Sequence, residues 1–143
     1  MKTTIMISRR AIPKGSTHSF RHRHTGKMIT KQNRSDELYE YQDFVAYLCK
    51  KAGVKVVQGP VELNVTYYFQ RPLSHFKGGD RTKGLKDSAP QHHMQTPDRD
   101  KLDRAIQDAL EGIAYDNDKQ VYRGTSAKLW TTDADWICLE ITQ

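Results

Sequence analysis

The sequence predicts a single α+β domain with a mixed β-sheet and two main helices. Three observations carry that expectation. Residues 61–69 alternate apolar and polar side chains, the period of a strand with one buried face. Two later and earlier segments, beginning near Ser35 and Asp98, repeat apolar residues at helical spacing. The order of elements is strands, helix, strand, long loop, helix, strands, which fits a sheet backed by helices. At 143 residues the chain has the length of one domain and can bury a core without staples.

Each element has its own signal. Met1–Ser8 reads as a strand, stopped by the breaker Ile12-Pro13-Lys14-Gly15. Ser16–Arg23 and Lys27–Thr30 form a hairpin around Thr25-Gly26. Ser35 caps the first helix, Asp36 and Glu37 follow in its first turn, and Leu38, Tyr41, Phe44, Val45 and Leu48 make its apolar stripe. Lys50 and Lys51 sit in its last turn and Gly53 ends it. In the strand, Val61, Leu63, Val65, Tyr67 and Phe69 face one way. Residues 71–97, rich in Gly, Pro, His and Lys, break every pattern, and a loop of that length is usually functional or mobile. In the second helix Leu102, Ala105, Ile106, Ala109, Leu110 and Ile113 share a stripe, with Asp100 as N-cap, Asp103 at N3 and Gly112 as stop. Gln120–Trp130 and Asp135–Ile141 are the last strands, joined by a turn at Thr131–Ala134.

Composition excludes several classes. Hydrophobic residues are 36% and charged residues 28%, which is not a disordered composition. No apolar run approaches the ~20 residues of a membrane helix, and the N-terminus lacks a signal peptide's apolar core. Cys49 and Cys138, each in an apolar segment, read as buried reduced thiols. A soluble intracellular protein is expected.

The net charge is +6, unevenly distributed. Residues 1–34 hold nine Lys/Arg and no Asp or Glu, whereas the remainder holds 14 basic and 17 acidic residues. A basic arm of this kind suggests a polyanion, with nucleic acid first. Lys14, Arg21, Arg23 and Lys27 in the arm, and Lys77, Arg81, Lys83 and Lys86 in the long loop, are the candidate DNA contacts. Phe76, isolated among those loop cations, is the candidate wedge or stacking side chain. His18, His22, His24, His75, His92 and His93 read as polar surface or DNA-contact residues.

The stretch PDRDKLDRAIQDALEGIAYDNDKQV, residues 97–121, carries the chemistry. Asp98 and Asp100 precede a helix, and Asp116-Asn117-Asp118 follows it at the mouth of the next strand. A helix packed on a sheet can return the chain so that Asp118 approaches Asp98 and Asp100. Converging carboxylates repel one another, and a hard divalent cation relieves that repulsion. Mg²⁺ beside a basic arm suits phosphodiester hydrolysis. The competing reading is structural: Asp before a helix also caps it, and Asp-Asn-Asp also makes a turn. Arg104 either pairs with Asp100 or Asp108 or faces a phosphate. No HExxH, CxxC pair, GxGxxG or Walker loop supports zinc, dinucleotide or nucleotide cofactors.

On these residues the chain resembles the RusA family of Holliday junction resolvases in its phage-encoded form. The match is Asp98, Asp100, Leu102, Arg104, Ala105, Asp108, Ala109 and Leu110, then Asp118, Gln120 and Val121. Pro13-Lys14-Gly15, Arg71–Phe76 and Asp87–Pro90 extend the resemblance over most of the chain. It implies a homodimeric endonuclease of the bacterial cytoplasm that binds four-way junctions and makes paired nicks with Mg²⁺, Mn²⁺ being a possible substitute. It also implies metal-binding roles for Asp98, Asp100 and Asp118. Arg104 stands where the family has a functional lysine, Lys101 where many members have Asn, and Asn117 in place of one acid of a frequent pair. Two other readings are a less selective nuclease of forks and flaps, and a non-catalytic DNA-binding module.

Overall fold

The computed structural model describes residues 1–15, 17–32 and 35–143. Its elements are β1 (Lys2–Ile7), β2 (Thr17–Arg21), β3 (Met28–Gln32), α1 (Asp36–Lys51), β4 (Val61–Gln70), α2 (Arg99–Leu110), β5 (Val121–Thr131) and β6 (Trp136–Thr142). Ser16, where the sequence places the start of the hairpin, and Arg34 of the basic arm lie outside the described residues.

The fold is α+β with a mixed sheet and two helices. A four-stranded sheet runs in the order β1-β6-β4-β5. β4 and β5 are parallel, while β6 is antiparallel to both β1 and β4. The last two strands are joined by a turn as the sequence suggests, yet they do not pair, because β4 lies between them. β2 and β3 form a separate hairpin whose turn is closed by His22 N–H donating to Lys27 O at 2.7 Å. Gly26 takes positive φ there, the conformation that favours glycine.

One face of the sheet meets the helices. Ile5 and Ile7, Val61 to Phe69 in alternation, and Ile137, Leu139 and Ile141 form one core with Leu38, Tyr41, Val45 and Cys49 of α1 and Leu102, Ala105, Ile106 and Leu110 of α2. Full burial of such side chains contributes roughly 1.5–3 kcal/mol each. Ser35 Oγ caps α1 by accepting from Leu38 N–H at 3.1 Å. Cys49 is buried as expected, its thiol pushed up to about 12 by burial, while Cys138 is only half-buried. Gly124 of β5 is required: a Cβ there would lie 1.8 Å from the Leu63 carbonyl oxygen.

The parallel pairing has a consequence for the site. A helix that links two parallel neighbouring strands must run back along the sheet. α2 therefore starts at the end where β4 finishes and stops at the end where β5 begins. Contacts at both ends agree: Lys128, late in β5, meets Pro97, and Val57, ahead of β4, bridges to Tyr115 after α2.

Residues 71–97 are not extended coil. Three single helical turns fold them into a lobe against the ends of β4 and β5. Arg71 Nη1 donates to Pro90 O at 2.7 Å, and Trp130 Nε1 donates to His92 O at 3.1 Å. His75 and His93 are both buried against Trp130, with ring centroids 4.9 and 4.3 Å away. These two are packing residues of the lobe, not polar surface. Burial, with Arg71 and Lys86 about His75 and with Lys128 and Arg10 about His93, holds both imidazoles below their ordinary range.

Candidate active site

Asp98 occupies the N-cap position of α2, and its carbonyl accepts from Leu102 N–H at 3.2 Å. The sequence assigns that cap to Asp100, which instead lies inside the first turn. The Asp98 side chain makes no capping hydrogen bond, although an Asp cap contributes about 1 kcal/mol to a helix. Its nearest charge is Lys101 Nζ at 3.8 Å. Asp98 and Asp100 are both exposed.

Residues of the sheet fix this end of α2. Lys128 Nζ donates to Gln95 O at 2.7 Å and to Pro97 O at 2.9 Å. Tyr67 OH and Ser126 Oγ each donate to Asp103, both at 2.7 Å. Burial first, and Asp103 second, push the Tyr67 phenol well above its usual range. Asp103 is thus a brace between helix and sheet rather than an N3 residue. Nothing in the local pattern marks Tyr67, Asp103, Ser126 or Lys128 for this. The available signal is that Ser126 and Lys128, polar residues, share the helix-facing side of β5 with Trp130.

The other end of α2 is a knot of hydrogen bonds. Gln120 Oε1 accepts from the N–H groups of Asp116 and Asn117 at 2.9 and 3.1 Å, while its Nε2 donates to Val57 O and Gly59 O at 2.8 and 3.0 Å. Asn117 Oδ1 caps the following turn through Lys119 N–H at 3.0 Å, and Asp116 accepts from Gln58 Nε2 at 2.6 Å. Asp118 is exposed at the start of that turn. Burial, then Asp118, Glu111 and Asp108, raise the Tyr115 phenol, which places the Asp118 charge at the C-terminal end of α2.

The three motif carboxylates therefore do not converge within one chain. Among the described residues, no three His, Cys, Asp or Glu side chains are grouped to hold a metal ion. The reason is the topology: α2, 12 residues and roughly 18 Å long, separates its two ends instead of folding them together.

The acids of this stretch nevertheless sort into two kinds. Asp103, Asp108 and Asp116 are engaged by Tyr67 and Ser126, by Lys14 and by Gln58. The carboxylates of Asp98, Asp100 and Asp118, and that of Glu111, accept no hydrogen bond among the described residues, although the main-chain carbonyls of Asp98 and Asp118 do.

The basic residues sort as well. Lys14, a candidate DNA contact, is instead half-buried, its Nζ 2.6 Å from Asp108 and its N–H donating to Lys101 O at 3.0 Å. It pins the segment after β1 to α2. Arg104 is exposed and pairs with neither Asp100 nor Asp108. Arg21, Arg23, Lys27, Lys77, Arg81, Lys83 and Lys86 are exposed, with Arg81 also donating to Arg71 O at 2.8 Å. Phe76 is only 3% exposed and lies under the Arg81 guanidinium, so it presents no face to a base. It is the core of the lobe.

The family model for endodeoxyribonuclease RusA matches residues 12–142. The chain belongs to the RusA endodeoxyribonuclease family. Membership makes it a nuclease of the Holliday junction resolvase type, acting on branched DNA. No curated protein matches the chain. No helix among the described residues is long and apolar enough to cross a membrane.

Proposed function

We propose that this RusA-family protein is a Mg²⁺-dependent, homodimeric resolvase that nicks four-way DNA junctions in symmetric pairs through Asp98, Asp100 and Asp118. The observation that carries the reading is the sorting of acids: the motif carboxylates are exposed and without hydrogen bonds, while the neighbouring aspartates Asp103, Asp108 and Asp116 are engaged in holding the fold. An Asp at an N-cap position that does not cap breaks a local stability rule, as residues of functional sites do. The donors are oxygen only and open to water, which fits Mg²⁺, an ion that keeps several waters and accepts one or two carboxylates plus substrate phosphate. Such an ion polarises a phosphoryl oxygen and acidifies a bound water.

A second copy resolves the separation of the carboxylates. β5 is one of the two edge strands of the sheet, the other being β1, and has no strand on its outer side among the described residues. Antiparallel pairing of two β5 edges about a two-fold would set the start of one strand, beside Asp118, near the end of the other, beside Asp98 and Asp100. Two sites related by a two-fold match the approximate symmetry of a four-way junction. Arg104, exposed one turn beyond Asp100, neutralises phosphate charge, and because a guanidinium stays protonated it does so without donating a proton. The exposed cations of the β2–β3 hairpin and of the lobe hold the DNA backbone.

Cleavage of a labelled four-way junction, beside linear duplex, fork and flap, tests the reading. Paired nicks confined to the junction, requiring Mg²⁺ and absent in Asp100→Asn, are expected. Equal cleavage of forks and flaps would replace it with the less selective nuclease. Binding without cleavage of any substrate would leave a DNA-binding module.

A further inference from the structure

Lys128 has a geometry that neither the motif nor the family match explains. It is half-buried on the helix-facing side of β5, where an apolar residue would be ordinary. Its ammonium donates to two carbonyls in one short segment, Gln95 O at 2.7 Å and Pro97 O at 2.9 Å. That segment leads directly into Asp98. Nearby, Arg99 Nη1 reaches Ser126 O at 3.4 Å, so β5 grips the chain on both sides of Asp98. Asp98 itself makes no capping bond that would fix its side chain from within the helix.

We propose that Lys128 is a positioning residue for Asp98 and Asp100: by holding the carbonyls of Gln95 and Pro97, it sets the direction from which both carboxylates present their oxygens to a divalent cation. This rests on the metal reading of those two residues. Outer-shell groups that orient ligands typically change metal affinity by about 10–100-fold when removed.

The sign of the effect separates positioning from simple electrostatics. Lys128 is a cation near two carboxylates, and a cation opposes the binding of another. If it acted only through charge, removing it would tighten metal binding. If it positions the carboxylates, removing it weakens binding despite the lost repulsion.

The test is Mn²⁺ binding to the full-length protein, read by electron paramagnetic resonance of the free ion without DNA, for wild type, Lys128→Met, Lys128→Gln and Lys128→Arg. Thermal unfolding of each variant is measured in EDTA. Binding weakened about 10–100-fold in Lys128→Met, with the fold retained and binding largely restored in Lys128→Arg, is expected. Should Lys128→Met not fold, Lys128→Gln, which keeps one donor group, carries the same expectation at smaller size. Unchanged or tighter Mn²⁺ binding in a folded Met or Gln variant overturns the proposal and leaves the metal reading standing. Wild-type protein that binds no Mn²⁺ overturns both.

Discussion

The two ends of α2 carry the same kind of residue and use it differently. At the end beside Asp98, the fold is held by Asp103, Ser126, Tyr67 and Lys128, and the motif carboxylates take no part. At the end beside Asp118, it is held by Gln120, Asn117 and Asp116, and again the motif carboxylate takes no part. The ends differ in what surrounds the carboxylate. Asp98 has Lys101 at 3.8 Å, whereas Asp118 shares with Glu111 and Asp108 the neighbourhood of the Tyr115 phenol. The lesson is that one stretch mixes acids that hold the fold with acids that hold nothing in it, and only their partners tell them apart.

The comparison breaks most visibly at the free carboxylates. Asp98→Asn, Asp100→Asn and Asp118→Asn should each lower junction cleavage by at least about 10²–10³-fold, the scale of losing a charge-stabilising group at the reacting phosphate. Their melting temperatures should stay within about 2 °C of wild type, because no hydrogen bond is lost. A variant that unfolds earlier would show that its carboxylate holds the fold after all.

The engaged acids should behave in reverse. Asp103→Ala leaves the hydroxyls of the buried Tyr67 and the half-buried Ser126 without their acceptor and should cost about 1–3 kcal/mol, lowering the melting temperature by several degrees. Gly124→Ala should cost a comparable amount or more, since its methyl group meets the Leu63 carbonyl and the parallel pairing must shift. Denaturant or thermal unfolding measures both.

The lobe should respond to pH. His75 and His93 have folded-state values below the ordinary 6.5, so on acidification the unfolded chain takes up the protons first. Stability from these residues is complete above about pH 6.5 and falls as pH drops below it toward the depressed values. Melting temperature against pH should show that fall, accompanied by a change in the emission of Trp130, and His93→Phe should flatten it. A flat profile in wild type would mean that the rings do not stay buried.

The smallest effect belongs to the hairpin. Arg21→Ala with Arg23→Ala should weaken junction binding and reduce the salt slope by up to about 1.8, roughly 0.9 for each lost phosphate contact. An unchanged slope would remove the arm from the interface.

Much of this was legible in the sequence where the signal is local. The Ser35 cap, the stripe of α1, the alternation of β4 and the stop at Gly53 depend on neighbours in the chain, and the structure matches them. Strand pairing depends on distant residues, so a turn at 131–134 says nothing of β4 slipping between β5 and β6. The separation of Asp118 from Asp98 follows from that same parallel pairing. Lys14 and Phe76 show the same limit: a cation or an aromatic ring in a loop looks exposed until Asp108 or the fold of the lobe claims it.

The most direct test mixes two inactive proteins. Asp100→Asn and Asp118→Asn, dissociated and reassembled together, form mixed dimers. If each site takes Asp98 and Asp100 from one protomer and Asp118 from its partner, a mixed dimer holds one intact site and one doubly damaged site. Each variant alone should then be inactive, and the mixture should recover about a quarter of the wild-type sites, as single nicks rather than pairs. A mixture as inactive as its components, shown to contain mixed dimers, would contradict the shared site.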